Sequence, residues 1–464
     1  MSFFSIEFSL IFLAFLLIYW NIKNLTLKNT LLLLFNHLII FLLGGPWVTL
    51  MIFCYTIFIY FCALFIQKTK ARFFFIACIT LAVLNLCFFK YHDDLKNFLE
   101  QILSLLGFSF LHQTQILLPL GISFYTFTSI TYLRAVYEQR FKQINPNLEN
   151  FANLATYLSF FPTFISGPIM RSNFFFTQLK KSRIWNPGHV NLIFMLLLFG
   201  IIKKVLIATS IEQFSSPILQ SPSGYNIIEL LLAIYGYGIQ LYCDFSGYIN
   251  LVGAFALMIG FTLPPNFKAP YIARNLKDFW NRWHISLSTF IRDFIYIPLG
   301  GNKRGFLLTQ IFVLIAFGAS GIWHGNTLNF LLWGLLHGFG IVFLNVLKRY
   351  NIHFKNVPLL PKLATFHYVT FCWIFFYYAD FASSLGFLQA FDPQIPIHKR
   401  DALLLFAAFV LFVLYQFMED FLEFCTKFLE KIPHFIKPIL LGMILILVFF
   451  LMPDGVPNFI YASF

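Results

Sequence analysis

Two histidines in this 464-residue chain stand where the sequence breaks its own pattern. His284 lies in RNLKDFWNRWHISLSTFIRDFIYIPLGGNKRG, Arg274 to Gly305, and His324 lies in GASGIWHG, Gly318 to Gly325. A histidine with a near-neutral pKa is the side chain suited to accept a proton from a hydroxyl or thiol as that group attacks an acyl carbon. Shielded from water, such an arrangement favours acyl transfer over hydrolysis. Each histidine follows a tryptophan, Trp283 or Trp323. No GxSxG elbow, P-loop, HExxH or paired-carboxylate motif accompanies them, so a serine-hydrolase, ATPase or zinc mechanism has no support and no metal site is expected.

The spacing of apolar residues predicts how the first histidine is carried. Leu276, Phe279, Trp280, Trp283, Leu287, Phe290, Ile291 and Phe294 recur at steps of three and four, which predicts one helix between Ile272 and Ile297. Lys277, Asn281, His284, Ser288 and Arg292 would form a polar stripe on another face, and Asp278 is spaced to pair with Arg274 and Arg282. Three settings fit such a helix: an interfacial amphipathic helix, the lining of a cavity with His284 and the arginines towards a ligand, or plain packing. For His324 the alternatives are catalysis and a satisfied interhelical partner. His337, in WGLLHG, reads as a packing histidine facing a neighbouring helix.

Composition defines the surroundings. Hydrophobic residues make up 59% of the chain and charged residues 11%, with 65 Phe and a mean hydropathy of +0.77. A soluble chain carries about 25% charged residues, so this is read as an all-α, polytopic membrane protein. Apolar runs lie near 3–20, 47–66, 73–90, 114–133, 227–243, 306–322, 328–347, 402–418 and 437–452, with shorter or interrupted ones near 30–44, 151–170, 190–209 and 364–380. At about 20 residues per span they predict roughly 10–13 crossings, some of the short runs being re-entrant. The first run lacks a preceding basic residue and a good cleavage site, which predicts a retained span. One integral membrane domain, 1–464, with its motif-bearing core at 117–340, is the economical organisation.

Lys23 and Lys28, then Lys68, Lys70 and Arg72, then Arg134, Arg140 and Lys142 mark connectors expected in the cytoplasm, which puts the N-terminus outside. The net charge of +13 follows from such connectors, and no nucleic-acid motif goes with it. The seven cysteines show no CxxC pair or zinc-like spacing and read as small buried hydrophobes.

FWNRWHISLSTFIRDFIYIPLGGNKRG from Phe279, GIWHG from Gly321 and LWGLLHG from Leu332 together resemble the membrane-bound O-acyltransferase family, in particular its bacterial branch of alginate and peptidoglycan O-acetyltransferases. LPLGISFYTFTSITYL from Leu118, FPTFISGPIMR from Phe161 and YCDFSGYINLVGAFALMIGFTLPPNF from Tyr242 extend the resemblance. The D-alanyl transferases of teichoic acids share the FWNRWH portion, whereas YIPLGGN, Tyr296 to Asn302, looks like the acetyltransferase branch.

This resemblance implies a ring of tilted helices with re-entrant and interfacial pieces, and a central funnel where a cytoplasmic acyl donor meets an acceptor from the outer side. It implies that His324 is the essential histidine and His284 the second polar position. His284 with Asn281 is expected to orient the thioester or stabilise the oxyanion. Arg282 and Arg292, with Lys303 and Arg304, are expected near the donor's phosphates, and Trp283 and Trp323 flank the site. The implied donor is acetyl-CoA or another acetyl thioester, with no resident cofactor, and the implied partner is a periplasmic SGNH-type acetyltransferase. A transporter or flippase is the alternative of another class, against which stands the absence of two related halves in the sequence. A third arrangement has the chain deliver acetyl groups across the inner membrane for a periplasmic partner to transfer.

Overall fold

The computed structural model describes residues 3, 5–105, 118–141, 145–352, 359–433 and 435–451. Phe4, residues 114–117, Lys142 and residue 452, which belong to predicted runs or connectors, lie outside the described residues. Among those described, the regular structure is helical and contains no strand, as the composition requires. Among the described residues six helices are long and apolar enough to cross a membrane: Leu25–Thr69, Arg72–Lys90, Pro187–Gln220, Ile227–Met258, Phe306–His324 and Leu328–Arg349. Ile6–Asn21 and Ile436–Leu451 are shorter apolar helices. The larger number of predicted runs has a simple origin. Leu25–Thr69 holds two runs end to end, while others form the shorter or more polar helices Ile122–Tyr137, Leu360–Tyr377 and Lys399–Tyr415.

Local chemistry explains the breaks. Asn24 starts Leu25–Thr69 by accepting the Leu27 N–H at 3.0 Å, a side-chain N-cap. A straight helix of that length would run about 67 Å, roughly twice the hydrocarbon core of a bilayer. Gly45, at φ 77° and ψ −177°, is its non-helical residue, a conformation open mainly to glycine. Pro46 follows, and its missing N–H suits the first turn of the second half. Large apolar side chains such as Leu10, Leu17, Phe61 and Phe73 are exposed on these helices, which is the surface that lipid requires.

The chain divides into two compact units, residues 1–187 with 255–263, and residues 188–254 with 264–464. In the first, Phe8, Phe12, Phe15, Phe35, Phe161 and Phe255 form an aromatic core, with Phe15 and Phe35 stacked at 3.8 Å. Its buried Arg183 donates to the Tyr19 hydroxyl at 2.6 Å, to the carbonyls of Gln178 and Leu179, and to Asn29 Oδ1. Lys28 donates to the Arg183 carbonyl and lies 4.7 Å from the Trp20 ring. Carbonyls, an amide and ring faces thus hold both cations.

The second unit carries both sequence-marked histidines. Its Phe306–His324 and Leu328–Arg349 helices pack closely on either side of the short Gly325–Thr327 connection. Glycines set their spacing: a Cβ on Gly321 would stand 2.2 Å from the Phe330 carbonyl oxygen, and one on Gly334 would stand 2.3 Å from that of Phe317. Lys303 and Arg304 precede the first helix and Lys348 and Arg349 end the second, so the basic residues lie at the ends remote from the connection. Trp280, Trp283, Trp333 and Trp373 are all buried in the core of this unit.

Candidate active site

His324 is the last residue of Phe306–His324 and is 3% exposed. Aromatic rings surround it, with centroids at 4.6 Å for Trp323, 5.0 Å for Trp333 and 5.1 Å for Phe376. The glycine after it is needed for this packing, because a Cβ on Gly325 would lie 2.3 Å from the Phe330 ring. Phe330 and Phe376, which both pack on His324, also line a cavity of about 340 Å³ with Thr327, Tyr377, Gln240 and Glu212. One layer of aromatic rings, Phe330 and Phe376, thus lies between the histidine and a space where a small group fits.

His284 is placed by a break that the sequence periodicity hides. The predicted continuous helix is instead Leu276–Trp280, a turn, Ile285–Ile291 and a π-helical turn Arg292–Tyr296. His284 itself is left-handed, at φ 41° and ψ 53°. That conformation costs a residue with a Cβ about 1–2 kcal/mol, and the surroundings must hold it. Asn266 does so from the PPNF loop. Its carbonyl accepts the Ile285 N–H at 3.0 Å, and its Oδ1 accepts the Ser286 N–H at 3.1 Å and the Ser286 hydroxyl at 2.7 Å. The Lys268 N–H donates to the Arg282 carbonyl at 2.9 Å, fixing the neighbouring strand of chain.

The break dissolves the predicted polar stripe. Lys277 donates to Asn345 at 2.5 Å, Ser288 to the Trp283 carbonyl at 3.1 Å, and the exposed Arg292 pairs with Asp293 at 2.9 Å. Asn281, the expected companion of His284, is an exposed helix C-cap. Asn266 takes that place, its Oδ1 lying 3.3 Å from His284 Nδ1. Because the same Oδ1 already accepts from the Ser286 N–H, the amide orientation is settled and Nδ1 must be the donor. Burial pushes the His284 pKa down to about 3, so the ring is neutral near pH 7 and Nε2 has acceptor character. A neutral ring in this tautomer has no N–H at Nε2 for an oxyanion.

Arg282 is engaged as well. It donates to Asp278 Oδ1 at 2.7 Å, to Glu419 Oε1 at 3.0 Å and to the Lys268 carbonyl at 3.1 Å, so two carboxylates neutralise its charge. Trp283 is buried beside Phe279, Phe267 and Trp373, and Trp373 stacks on Trp333 at 5.9 Å. These rings make a continuous wall from the segment holding His284 to the ring that touches His324. The structure thus gathers His284, Trp283, Trp323 and His324 along one aromatic wall and leaves Asn281 and Arg292 exposed. His337 packs edge-on to Trp280 at 5.0 Å and Trp333 at 5.1 Å, inside the same core.

Asn266 should act as a positioning residue for His284. Asn266→Ala removes the acceptor for three donors and is expected to lower turnover about 10- to 100-fold, by analogy with the loss of hydrogen-bond partners that orient metal-ligating histidines. Asn266→Asp keeps the acceptor and adds a charge that favours imidazolium, raising the His284 pKa. Activity should then be regained near neutral pH and lost on acidification at a higher pH than in the wild type. Turnover measured against pH checks this, and an Asp variant no better than Ala speaks against the role.

Sequence reasoning also passed over the Lys204–Asp244 ion pair, both side chains 2% exposed, and Glu212 in the cavity. A charged residue inside an apolar run was the available signal.

Comparison with known proteins agrees with this setting. The sequence model of the membrane-bound O-acyltransferase family matches residues 136–385. The chain is 34% identical over 365 residues to a peptidoglycan O-acetyltransferase of Helicobacter pylori, covering 72% of this chain and 68% of that protein. It is 36% identical over 262 residues to the probable alginate O-acetylase AlgI of Pseudomonas putida, covering 56% of this chain and 52% of that protein. A teichoic acid D-alanyltransferase of Bacillus subtilis is 29% identical over 269 residues, covering 54% and 67%.

Proposed function

Because the chain belongs to the membrane-bound O-acyltransferase family, we propose that it takes an acetyl group from a cytoplasmic thioester, acetyl-CoA or a similar donor, and acylates a hydroxyl of an envelope polysaccharide beyond the bacterial inner membrane. Peptidoglycan and alginate are the polymers of its similar relatives. The observation that carries the reading is the position of His324, at the turn of a helix pair whose remote ends hold Lys303, Arg304, Lys348 and Arg349. Basic connectors favour the cytoplasm, so the turn, His324 and the cavity beside it belong to the outer half of the membrane.

The transfer needs one proton to change hands. The acceptor oxygen attacks the thioester carbonyl carbon, the C–O bond forms and the C–S bond breaks. His324 takes the hydroxyl proton and returns it to the departing sulfur, so atoms and charge balance. The tryptophan wall keeps water from competing for the thioester. His284, kept neutral by burial and oriented by Asn266, positions the donor as a hydrogen-bond acceptor rather than as an oxyanion donor. An SGNH-type partner would receive or extend the modification outside.

Proteoliposomes given labelled acetyl-CoA on one face and a glycan acceptor on the other test the reading. Covalent label on the acceptor is expected. Passage of an unmodified solute with no acylation would support a carrier instead.

A further inference from the structure

We propose that the cavity beside His324 admits an uncharged sugar residue and rejects polyanionic glycans, with Glu212 as the residue that sets this preference. The inference rests on His324 being the transfer site and names the class of acceptor that reaches it.

Four segments contribute to the cavity. Glu212 and Ser216 share one face of Thr209–Gln220, Gln240 comes from Ile227–Met258, Tyr377 ends Leu360–Tyr377, and Thr327 precedes Leu328–Arg349. Among the described residues its lining contains one carboxylate and no Lys, Arg or His. The lysine on the preceding turns, Lys204, is buried and salt-bridged to Asp244, so its charge is already matched. A volume of about 340 Å³ sits at the small end of ligand cavities, which suits one residue of a glycan better than a length of chain.

The chemistry of this lining matches a neutral sugar. Hydroxyls of Ser216, Thr327 and Tyr377 and the amide of Gln240 both donate and accept, as a neutral sugar's hydroxyls require. The Phe330 and Phe376 faces suit the C–H side of a pyranose and lead directly to the His324 ring. A uronate carboxylate or a phosphodiester would instead enter beside the Glu212 carboxylate, with no cation among the described lining residues to receive it. Selection against charge is thereby built into the lining of the same cavity whose aromatic faces pack on His324. The proton and acetyl movements remain those of the transfer already described.

The experiment uses the full chain in proteoliposomes with labelled acetyl-CoA and two soluble probes of equal length, N-acetylglucosamine oligomers and mannuronate oligomers. The wild type is expected to favour the neutral oligomer in kcat/KM by at least about tenfold, the ratio that 1.4 kcal/mol of discrimination gives. Glu212→Gln, which keeps shape and loses charge, should shrink the ratio, and Glu212→Lys should abolish or reverse it, with the change mainly in KM for the mannuronate. Equal use of both probes by the wild type overturns the proposal, as does a ratio unmoved in both variants. Label found only on a protein hydroxyl and on neither oligomer overturns it too. Transfer that persists in His324→Ala refutes the site reading itself, a result separate from the selectivity ratio.

Discussion

His324→Ala is expected to abolish acetyl transfer while the protein still inserts in the membrane at wild-type amounts. The side chain ends a helix, so its removal leaves the backbone hydrogen bonds of Phe306–His324 in place. A void opens among Trp323, Trp333 and Phe376, but Trp333 and Phe376 also pack on one another and on Trp373, and Phe376 on Phe330. Loss of a general base costs about 10²- to 10⁴-fold in rate. The imidazole sits among the rings of Trp323, Trp333 and Phe376, and the upper part of that range is expected. Label transferred per mole of reconstituted protein gives the answer, with His324→Gln as a variant that better preserves volume. Transfer within roughly tenfold of wild type in both variants would contradict the assignment.

Asp244→Ala is expected to remove most of the folded protein. Lys204 lies on a π-helical turn of the Pro187–Gln220 segment and Asp244 near the middle of Ile227–Met258, and their ion pair is almost wholly buried. Removing one partner of a buried pair leaves an uncompensated charge and typically costs about 3–5 kcal/mol. Replacing both by apolar residues of similar size removes the charges together, and so Lys204→Met with Asp244→Leu should recover much of the loss. Thermal unfolding of the detergent-solubilised protein and its monodispersity report the result. A single variant as stable as the wild type would show that the pair contributes little. A double variant that folds yet transfers no acetyl would show that the pair serves the reaction as well.

The membrane class was legible because composition alone carries it: so much Phe and so few charges leave no soluble alternative. His324 was legible because GASG before it and Gly325 after it mark a close helix contact, which is where the structure puts it. The setting of His284 was not legible. Apolar residues at steps of three and four continue in phase on both sides of the left-handed residue, so periodicity joins two helices that the chain keeps apart. Asn266 escaped notice for a different reason. Its function exists only as a contact across 18 residues, and in sequence it is one more polar residue after two prolines. Glu212 falls just past an apolar run, and nothing in its neighbours tells that it opens from a helix into a cavity. Lys204 and Asp244 were each visible as charges in apolar company, but nothing in one dimension says that two residues 40 apart will meet.

The line of rings from Trp283 through Trp373 to Trp333 bears on the cell's energy supply as much as on the reaction. A membrane that stores a proton gradient is short-circuited by any protein through which a continuous file of water can pass. Indole and phenyl rings packed edge to face offer few sites for a file of water along which protons hop. On the proposed function, the three tryptophans of this line would serve as electrical insulation, keeping ions on their own side while an acetyl group changes hands.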